Sequence, residues 1–478
     1  MNNRPNILFL LDDEHRPDVL GYAGDDVVRT PVIDGLAETG VVFENAYTPS
    51  PRCVPGRQCL MAGQLPRTCG CERYGDDLPP ESMTWARRLA QYGYETVAAG
   101  KLHHMGTDKA QGWTKRIGMV GGCNVPLADD APELDSGTGP LSGKWTDAKE
   151  VRRAGTGKPD VGWKDETDEY CVQGALNYIE RTFLDQHYDR ATPDRPVALK
   201  VSLTQPHYPY LTSEERFAYY LNRVDPFVDE AAVAFDDHSL LGSRRLKVGR
   251  AGYGIEREGD VTPREVRRAT AAYYGMIETV DDYFGRVLDA LEAVGEDLDE
   301  WLIIFTSDHG EMLGEHGVWE KGHFFEASAR VPLVVRWPER FEPATVLENV
   351  NLCDLFATLC ALTGTPLPDE HSLDSRSLLP LLEGHTDEWR DSHGNETLSA
   401  YENDLLIKHD DMKYIAVEDD RDVLFDLATD PNETTNRIED PAYDDIVNRF
   451  QDRRDELGYG PDSDPEVAKV GYETGTDR

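Results

Sequence analysis

Ile7-Leu8-Phe9-Leu10-Leu11-Asp12-Asp13 opens the chain with an unbroken apolar run that ends in two carboxylates. Such a run reads as a strand buried on both faces, and the pattern returns as Leu302-Ile303-Ile304-Phe305-Thr306-Ser307 followed by Asp308-His309. In an open α/β sheet the C-terminal ends of strands face the crevice where ligands bind. Asp12, Asp13, Asp308 and His309 are therefore expected to meet there. Each acidic pair alone reads as turn-forming or capping aspartates, since the chain is rich in acid. The choice between those readings needs a third landmark.

Around these two strands, residues 96–99, 197–203 and 331–335 are further strand candidates, and segments of helical composition cover 81–92 and 168–184. The clearest helix spans 263–294: Thr262 can cap it, Pro263 takes its first position, Glu265 completes a capping box and Gly295 stops it. Its apolar stripe, Tyr273, Met276, Val280, Phe284, Val287 and Leu291, reads as core. Residues 118–162 and 225–260 are Gly-, Asp- and Pro-rich and read as surface insertions that wall a pocket. After a helix candidate at 352–362 and a polar linker, short strand candidates at 398–401, 405–408, 413–417 and 423–427 precede a helix near 443–457. The fold class is thus α/β: a large mixed, mostly parallel sheet sandwiched by helices, plus a smaller C-terminal α+β domain with a short antiparallel sheet and a helix. The boundary falls between a catalytic domain at 1–393 and a C-terminal domain at 394–478.

Composition excludes several partners. With 90 acidic against 49 basic residues in 478, the net charge of -41 repels nucleic acid and anionic lipid. Acid is spread along the whole chain and Arg outnumbers Lys, which points to a halophilic source and a fold that depends on salt. No apolar run approaches the ~18 residues of a membrane span. The start, from Met1 to Asn6, has no basic region ahead of an apolar one, so a cytoplasmic location is expected. Eight cysteines are too sparse for a disulfide scaffold; Cys59, Cys123, Cys171, Cys353 and Cys360 read as core fillers, and Cys69-Gly70-Cys71 is too closely spaced for a usual zinc or redox pair.

The third landmark is Cys53-Val54-Pro55-Gly56-Arg57. A helix starting here places Cys53 near free N–H groups and the positive end of a dipole, a setting for an anion, and Arg57 can hold an anion or a nucleophile with its fork of donors. Three acids and an imidazole gathered together call for a divalent cation, and oxygen-rich ligation favours calcium, with manganese or magnesium as alternatives, over zinc. A bare thiolate is a soft ligand mismatched to such an ion. An oxygen is expected at position 53.

At this point the chain resembles the type I, formylglycine-dependent sulfatases of the alkaline-phosphatase-like superfamily. The resemblance rests on the Cys-x-Pro-x-Arg motif and on Thr30-Pro31-Val32-Ile33-Asp34 with Gly40-Val41-Val42-Phe43. Gly100-Lys101-Leu102-His103, Pro206-His207-Tyr208-Pro209, Ser307-Asp308-His309-Gly310-Glu311 through Lys321, Arg330-Val331-Pro332-Leu333, and Leu424-Phe425-Asp426-Leu427 with Asp430-Pro431 extend it over nearly the whole chain. Gly56 stands where Ser or Ala is more usual, and His309 where many members have Asn. The resemblance implies that Cys53 is oxidised to formylglycine by a formylglycine-generating or related maturation enzyme. Asp12, Asp13, Asp308, His309 and residue 53 would hold one divalent cation. Arg57, Lys101 and Lys321 would neutralise the sulfuryl group, His207, with Lys321, would protonate the departing alcohol, and His103, with His104 as the alternative, would take a proton from the hydrate of formylglycine. The implied substrate is a small-molecule or saccharide sulfate ester. A phosphate or phosphonate ester hydrolase on the same scaffold, or a non-catalytic relative with unmodified Cys53, are the rival readings. His316 and His323 carry no assignment, and the oligomeric state is not legible.

Overall fold

The computed structural model describes residues 4–118, 148–156, 164–183, 195–227, 238, 240, 261–418 and 420–460. Its centre is an eight-stranded sheet built from β1 (Ile7–Asp13), β2 (Val41–Phe43), β3 (Glu95–Gly100), β4 (Lys115–Ile117), β5 (Val197–Pro206), β6 (Leu302–Ser307), β7 (Leu333–Arg336) and β8 (Ala344–Val346), in the order β8-β2-β7-β6-β1-β5-β3-β4. Only β7 runs against the others among these strands. The expected mixed, mostly parallel sheet is therefore present, with β1 at its middle. The strand expected at 331–335 is two strands: Pro332, which has no N–H to give a ladder, separates β7 from Arg330–Val331, which pairs with Ala46–Tyr47 in a small three-stranded sheet.

The period of two explains the layers. Ile7, Phe9 and Leu11 of β1 and Leu302 and Ile304 of β6 enter one apolar cluster with Trp85, Leu60 and Phe356. Leu8, Leu10, Ile303 and Phe305 enter the other with Val280, Phe284, Val287 and Leu291. Those last four belong to the long helix Pro263–Ala293, which has the Thr262–Glu265 capping box that its sequence announces. Helices Pro31–Glu38 and Lys164–Phe183 cover the same face, while Cys53–Ala62, Trp85–Gln91 and Leu355–Thr363 cover the opposite one. Truncating one of these buried side chains to Ala costs about 2–5 kcal/mol, because the sheet cannot close over the cavity.

Toward the C-terminus, β9 (Glu396–Tyr401), β10 (Asp404–His409), β11 (Met412–Ala416) and β12 (Val423–Asp426) form an antiparallel sheet in sequence order. One face takes Leu405, Ile407, Tyr414 and Leu424 against Val447 and Phe450 of the helix Asp444–Glu456; Tyr414 and Phe450 stack at 5.5 Å. The other face sends Leu406, Ile415, Val423 and Phe425 toward Met312, Phe324 and Phe325 in the segment that follows β6. The β9 edge also donates Ala400 N–H to the carbonyl of Pro49, 2.9 Å away, beside the entry to the Cys53 helix. The insertions expected at 118–162 and 225–260 and the core role of Cys123 lie largely or wholly outside the described residues, whereas Cys59, Cys171, Cys353 and Cys360 are buried as core fillers should be. No described helix is long and apolar enough to cross a membrane.

Candidate active site

Four neighbouring strand ends converge. β1 ends in Asp12 and Asp13; Asp12 pairs with Ser307 of β6, just before Asp308 and His309, and Asp13 pairs with Pro206 of β5, just before His207. β3 ends at Gly100, opposite Ser202, and Lys101 follows with its N–H on the Ser202 carbonyl at 2.8 Å. Gly100 has a φ of +99°, and a Cβ there would lie 1.9 Å from that same carbonyl oxygen, so only glycine lets β3 deliver Lys101 to this point. The nucleophile candidate arrives from the side. Cys53 is the first residue of the helix Cys53–Ala62, and Gly56 inside it passes so close to the Ser50 carbonyl that a Cβ would sit 2.9 Å from its oxygen. A side chain at Gly56 would have to displace the Ser50 carbonyl.

Arg57 is the clamp between these elements and is fully buried. Its Nε reaches Asp308 Oδ2 at 2.6 Å and its Nη2 reaches Asp13 Oδ2 at 2.9 Å, while Nη1 donates to the Lys101 carbonyl and to Ser202 Oγ, both at 2.8 Å. Lys101 Nζ lies 2.5 Å from Asp13 Oδ2. Lys321 Nζ lies 2.6 Å from Glu14 Oε2. Burial works against the charge of Asp13, yet Lys101 and then Arg57 hold its carboxyl well below the usual range. At Asp308 burial prevails over Arg57 and pushes the carboxyl up to about 6.

His309 is buried, which drives it down to about 3 and keeps the ring neutral near pH 7. Its Nδ1 is 3.0 Å from the Gly310 carbonyl, so Nδ1 carries the proton and Nε2 presents a lone pair with no hydrogen-bond partner. Asp12 Oδ1 and Asp13 Oδ1 are likewise buried and unpartnered. Ligand atoms of Asp13, Cys53 and His309 all lie within 4.8 Å of one another, as do those of Asp13, Glu14 and His207. Orphaned oxygens around a neutral imidazole nitrogen are costly without a guest. The residues present fit a hard divalent cation.

Two members of this cluster escaped sequence reasoning. Glu14 turns the chain out of β1 with a φ of +75°, is fully buried, and is pushed by burial, against the pull of Lys321, up to about 8. It lies 3.5 Å from His207 Nε2, so it joins Lys321 to that imidazole. His15 places Nδ1 2.5 Å from Asp12 Oδ2 and Nε2 3.2 Å from the Val19 carbonyl, which aims the Asp12 carboxylate. Their only sequence signal is adjacency to Asp12-Asp13. The Tyr273 hydroxyl, on the stripe of the long helix, braces the same turn by donating to the Glu14 carbonyl and accepting from Arg16 N–H at 2.6 and 2.7 Å.

Every residue singled out for the site is brought to this crevice region, and the two histidines of the Lys101 loop face different surroundings. Burial and then Lys101 and Arg57 push His103 well below its ordinary value, and its buried Nδ1 has no hydrogen-bond partner. His104 instead meets the Lys109 carbonyl at 3.1 Å and feels Lys200 and Arg116. His207 keeps 15% of its side chain exposed, and its Nδ1 sits 2.7 Å from the Tyr208 carbonyl, leaving Nε2 toward the acids. His316 stacks on Phe325 at 4.3 Å, and Phe325 lies 6.1 Å from Phe425 of β12, so His316 joins the packing between the β6 loop and the C-terminal sheet.

The sequence model of the Sulfatase family matches residues 5–365. The chain belongs to the sulfatase family. A second model, described as N-sulphoglucosamine sulphohydrolase, C-terminal, matches residues 314–458 of this sulfatase. The sulfatase is 30% identical over 450 residues to the choline-sulfatase of Rhizobium meliloti (strain 1021), covering 92% of this chain and 83% of that protein. Arylsulfatase K of Bos taurus is 28% identical over 458 residues, 90% and 78% of the two chains. Among solved structures, the phosphonate monoester hydrolase of Agrobacterium radiobacter superposes with a TM-score of 0.72 at 25% identity, covering 94% of each chain. A protein solved in complex with its substrate D-glucosamine-2-N,6-O-disulfate superposes at 0.68 with 20% identity over 95% and 98% of the two chains, a likeness of fold. These findings place the sulfatase among the sulfuric ester hydrolases of the alkaline-phosphatase-like superfamily.

Proposed function

We propose that this sulfatase hydrolyses a sulfate monoester of a small molecule or saccharide, with formylglycine made from Cys53 by a maturation enzyme and with one divalent cation, calcium first and manganese or magnesium next. The domain division at 393/394 belongs to the same reading, with the C-terminal sheet buttressing the nucleophile segment. The observation that carries the proposal is the juxtaposition of Cys53 with Asp13 and His309 within 4.8 Å at the foot of the Arg57 clamp. Asp12, Asp13, Asp308 and His309 would hold the cation, which when bound supplies Lewis-acid stabilisation of the reacting oxygens. Burial pushes the Cys53 thiol up, so an unmodified cysteine here favours the protonated form, a poor nucleophile; formylglycine supplies an oxygen instead.

Lys101 and Lys321, held by Asp13 and Glu14, bring positive charge to the sulfuryl oxygens, and Arg57 keeps the carboxylates of Asp13 and Asp308, which would hold the cation, apart and oriented. His207, with Nδ1 directed to the Tyr208 carbonyl, delivers a proton from Nε2 to the departing oxygen. His103 accepts a proton at Nδ1 and is the choice over His104, because Lys101, Arg57, Asp13 and Lys321 all act on His103 whereas His104 turns Nδ1 to the Lys109 carbonyl among Lys200 and Arg116. The likeness to a phosphonate monoester hydrolase supports a second reading, a phosphate or phosphonate ester hydrolase, because the same cations stabilise a phosphoryl group.

Two measurements test this. The ratio of kcat/KM for aryl sulfate over aryl phosphate and phosphonate should favour sulfate, and a larger constant on a phosphorus ester moves the enzyme to the second reading. Mass spectrometry of the tryptic peptide from Cys53 to Arg57 should show the thiol replaced by an aldehyde in protein from its native source. Intact cysteine there would favour a non-catalytic binding role.

A further inference from the structure

The helix that begins with Cys53 ends near a second group of thiols on which none of the chemistry above draws. Cys59, on its inner half, lies with Sγ 3.6 Å from Sγ of Cys69, ten residues on in the short helix Pro66–Cys69. The turn between them is held by backbone bonds: Gly63 and Gln64 donate to the Cys59 carbonyl at 2.8 and 3.3 Å, and Cys69 donates to Leu65 at 3.1 Å. Cys71 follows, its Sγ 3.9 Å from the Cys69 carbonyl. Cys59 and Cys71 are buried, whereas Cys69 is partly exposed. We propose that Cys59 and Cys69 form a reversible disulfide that clasps the far end of the Cys53 helix to the following turn, and that a small-molecule disulfide oxidant drives it.

Two thiols in contact on a hydrogen-bonded turn need only small side-chain rotations to bond, and the residues between them give a short loop whose closure restrains the unfolded chain. The division of labour follows from access. Cys69 is the residue of the pair that keeps some exposure, and the Cys59 and then the Cys71 thiol hold it well below the ordinary thiol range, favouring thiolate. Its thiolate attacks one sulfur of glutathione disulfide, forming a mixed disulfide and releasing one glutathione thiolate. Cys59 then attacks the Cys69 sulfur of that mixed disulfide, its proton passing to the second departing glutathione. The net exchange turns two protein thiols and one glutathione disulfide into one protein disulfide and two glutathione thiols. The bond is independent of the modification of Cys53.

The reduced full-length protein is treated with glutathione disulfide, its remaining thiols are alkylated, and it is digested with trypsin without reductant. The peptides Gln58 to Arg67 and Thr68 to Arg73 should be recovered as one disulfide-linked species that reductant separates. Cys69→Ser, at a partly exposed site, and Cys59→Ser should each abolish that species, and Cys71→Ser should retain it. Oxidation should raise the melting temperature of the wild type by roughly 2–6 °C and leave the Cys69→Ser variant unmoved. Separate peptides with Cys59 and Cys69 both alkylated would overturn the proposal, as would a linked species that persists in Cys69→Ser or disappears in Cys71→Ser, or a melting shift that survives in Cys69→Ser.

Discussion

The floor of the crevice and its wall are built on different principles. Asp12, Asp13, Arg57, Asp308 and His309 on the floor are essentially without exposure, sit at the ends of paired strands or inside a helix, and hold one another through several short contacts. His207 and His103 on the wall hang from loops and keep some exposure. A buried ion cluster is expensive to break and a loop imidazole is not. Floor substitutions should therefore damage function and stability together, and wall substitutions should be purely kinetic.

The sharpest break in that pattern is Cys53→Ala, which should lower kcat by roughly 10⁴-fold or more while leaving the melting temperature nearly unchanged, because residue 53 belongs to the floor by position but clamps nothing. Retained turnover would remove it from the nucleophile role. Asp308→Asn should lower bound metal and reduce kcat by about 10²–10³-fold. It should also destabilise by about 3–5 kcal/mol as Arg57 loses a buried partner; metal content measured by emission spectroscopy equal to the wild type would contradict the assignment. His207→Ala should cost about 10²-fold on alkyl sulfates and far less on aryl sulfates with acidic leaving groups, at unchanged stability. An equal loss on both would take the proton delivery away from it.

A buried acid held by backbone N–H groups supplies the control. Asp281 accepts Val32 and Ile33 N–H at 3.1 and 2.8 Å, and burial pushes it up to about 7, opposed by those two bonds. A carboxyl raised in the native state binds more protons folded than unfolded between its ordinary value and about 7, so its contribution to stability falls as pH rises through that window and is flat above it. Relative to Asp281→Asn, the wild type should lose about 3–4 kcal/mol between pH 4 and pH 8 by urea unfolding. A flat difference would show that burial alone does not disfavour charge here, and would weaken the claim that Lys101 and Arg57 are what keep Asp13 ionised.

Much of this was legible because apolar runs ending in acids mark both a strand and its functional end. Ile7 to Leu11 and Leu302 to Thr306 fell where expected, as did the capping box at Thr262 and the period-two strands of the C-terminal sheet. Lys115–Ile117 and Ala344–Val346 did not stand out, since edge strands of three residues bury too little to impose an apolar pattern. The start of the helix at Trp85 in place of residue 81 reflects the Thr84 hydroxyl, which caps it by accepting from Arg87 N–H. Within the site, acids and cations could be named but not paired. That Lys321 would meet Glu14 depends on a contact across 307 residues, and no local pattern encodes it.

β1 holds the middle of the main sheet, yet its two partners are β5 and β6, so this strand can complete its ladder only after residue 302 and beyond have emerged. During translation the stretch Ile7 to Leu11 must wait, sticky and unpaired, while most of the polypeptide leaves the ribosome. Such high contact order predicts slow folding and a strong claim on chaperones.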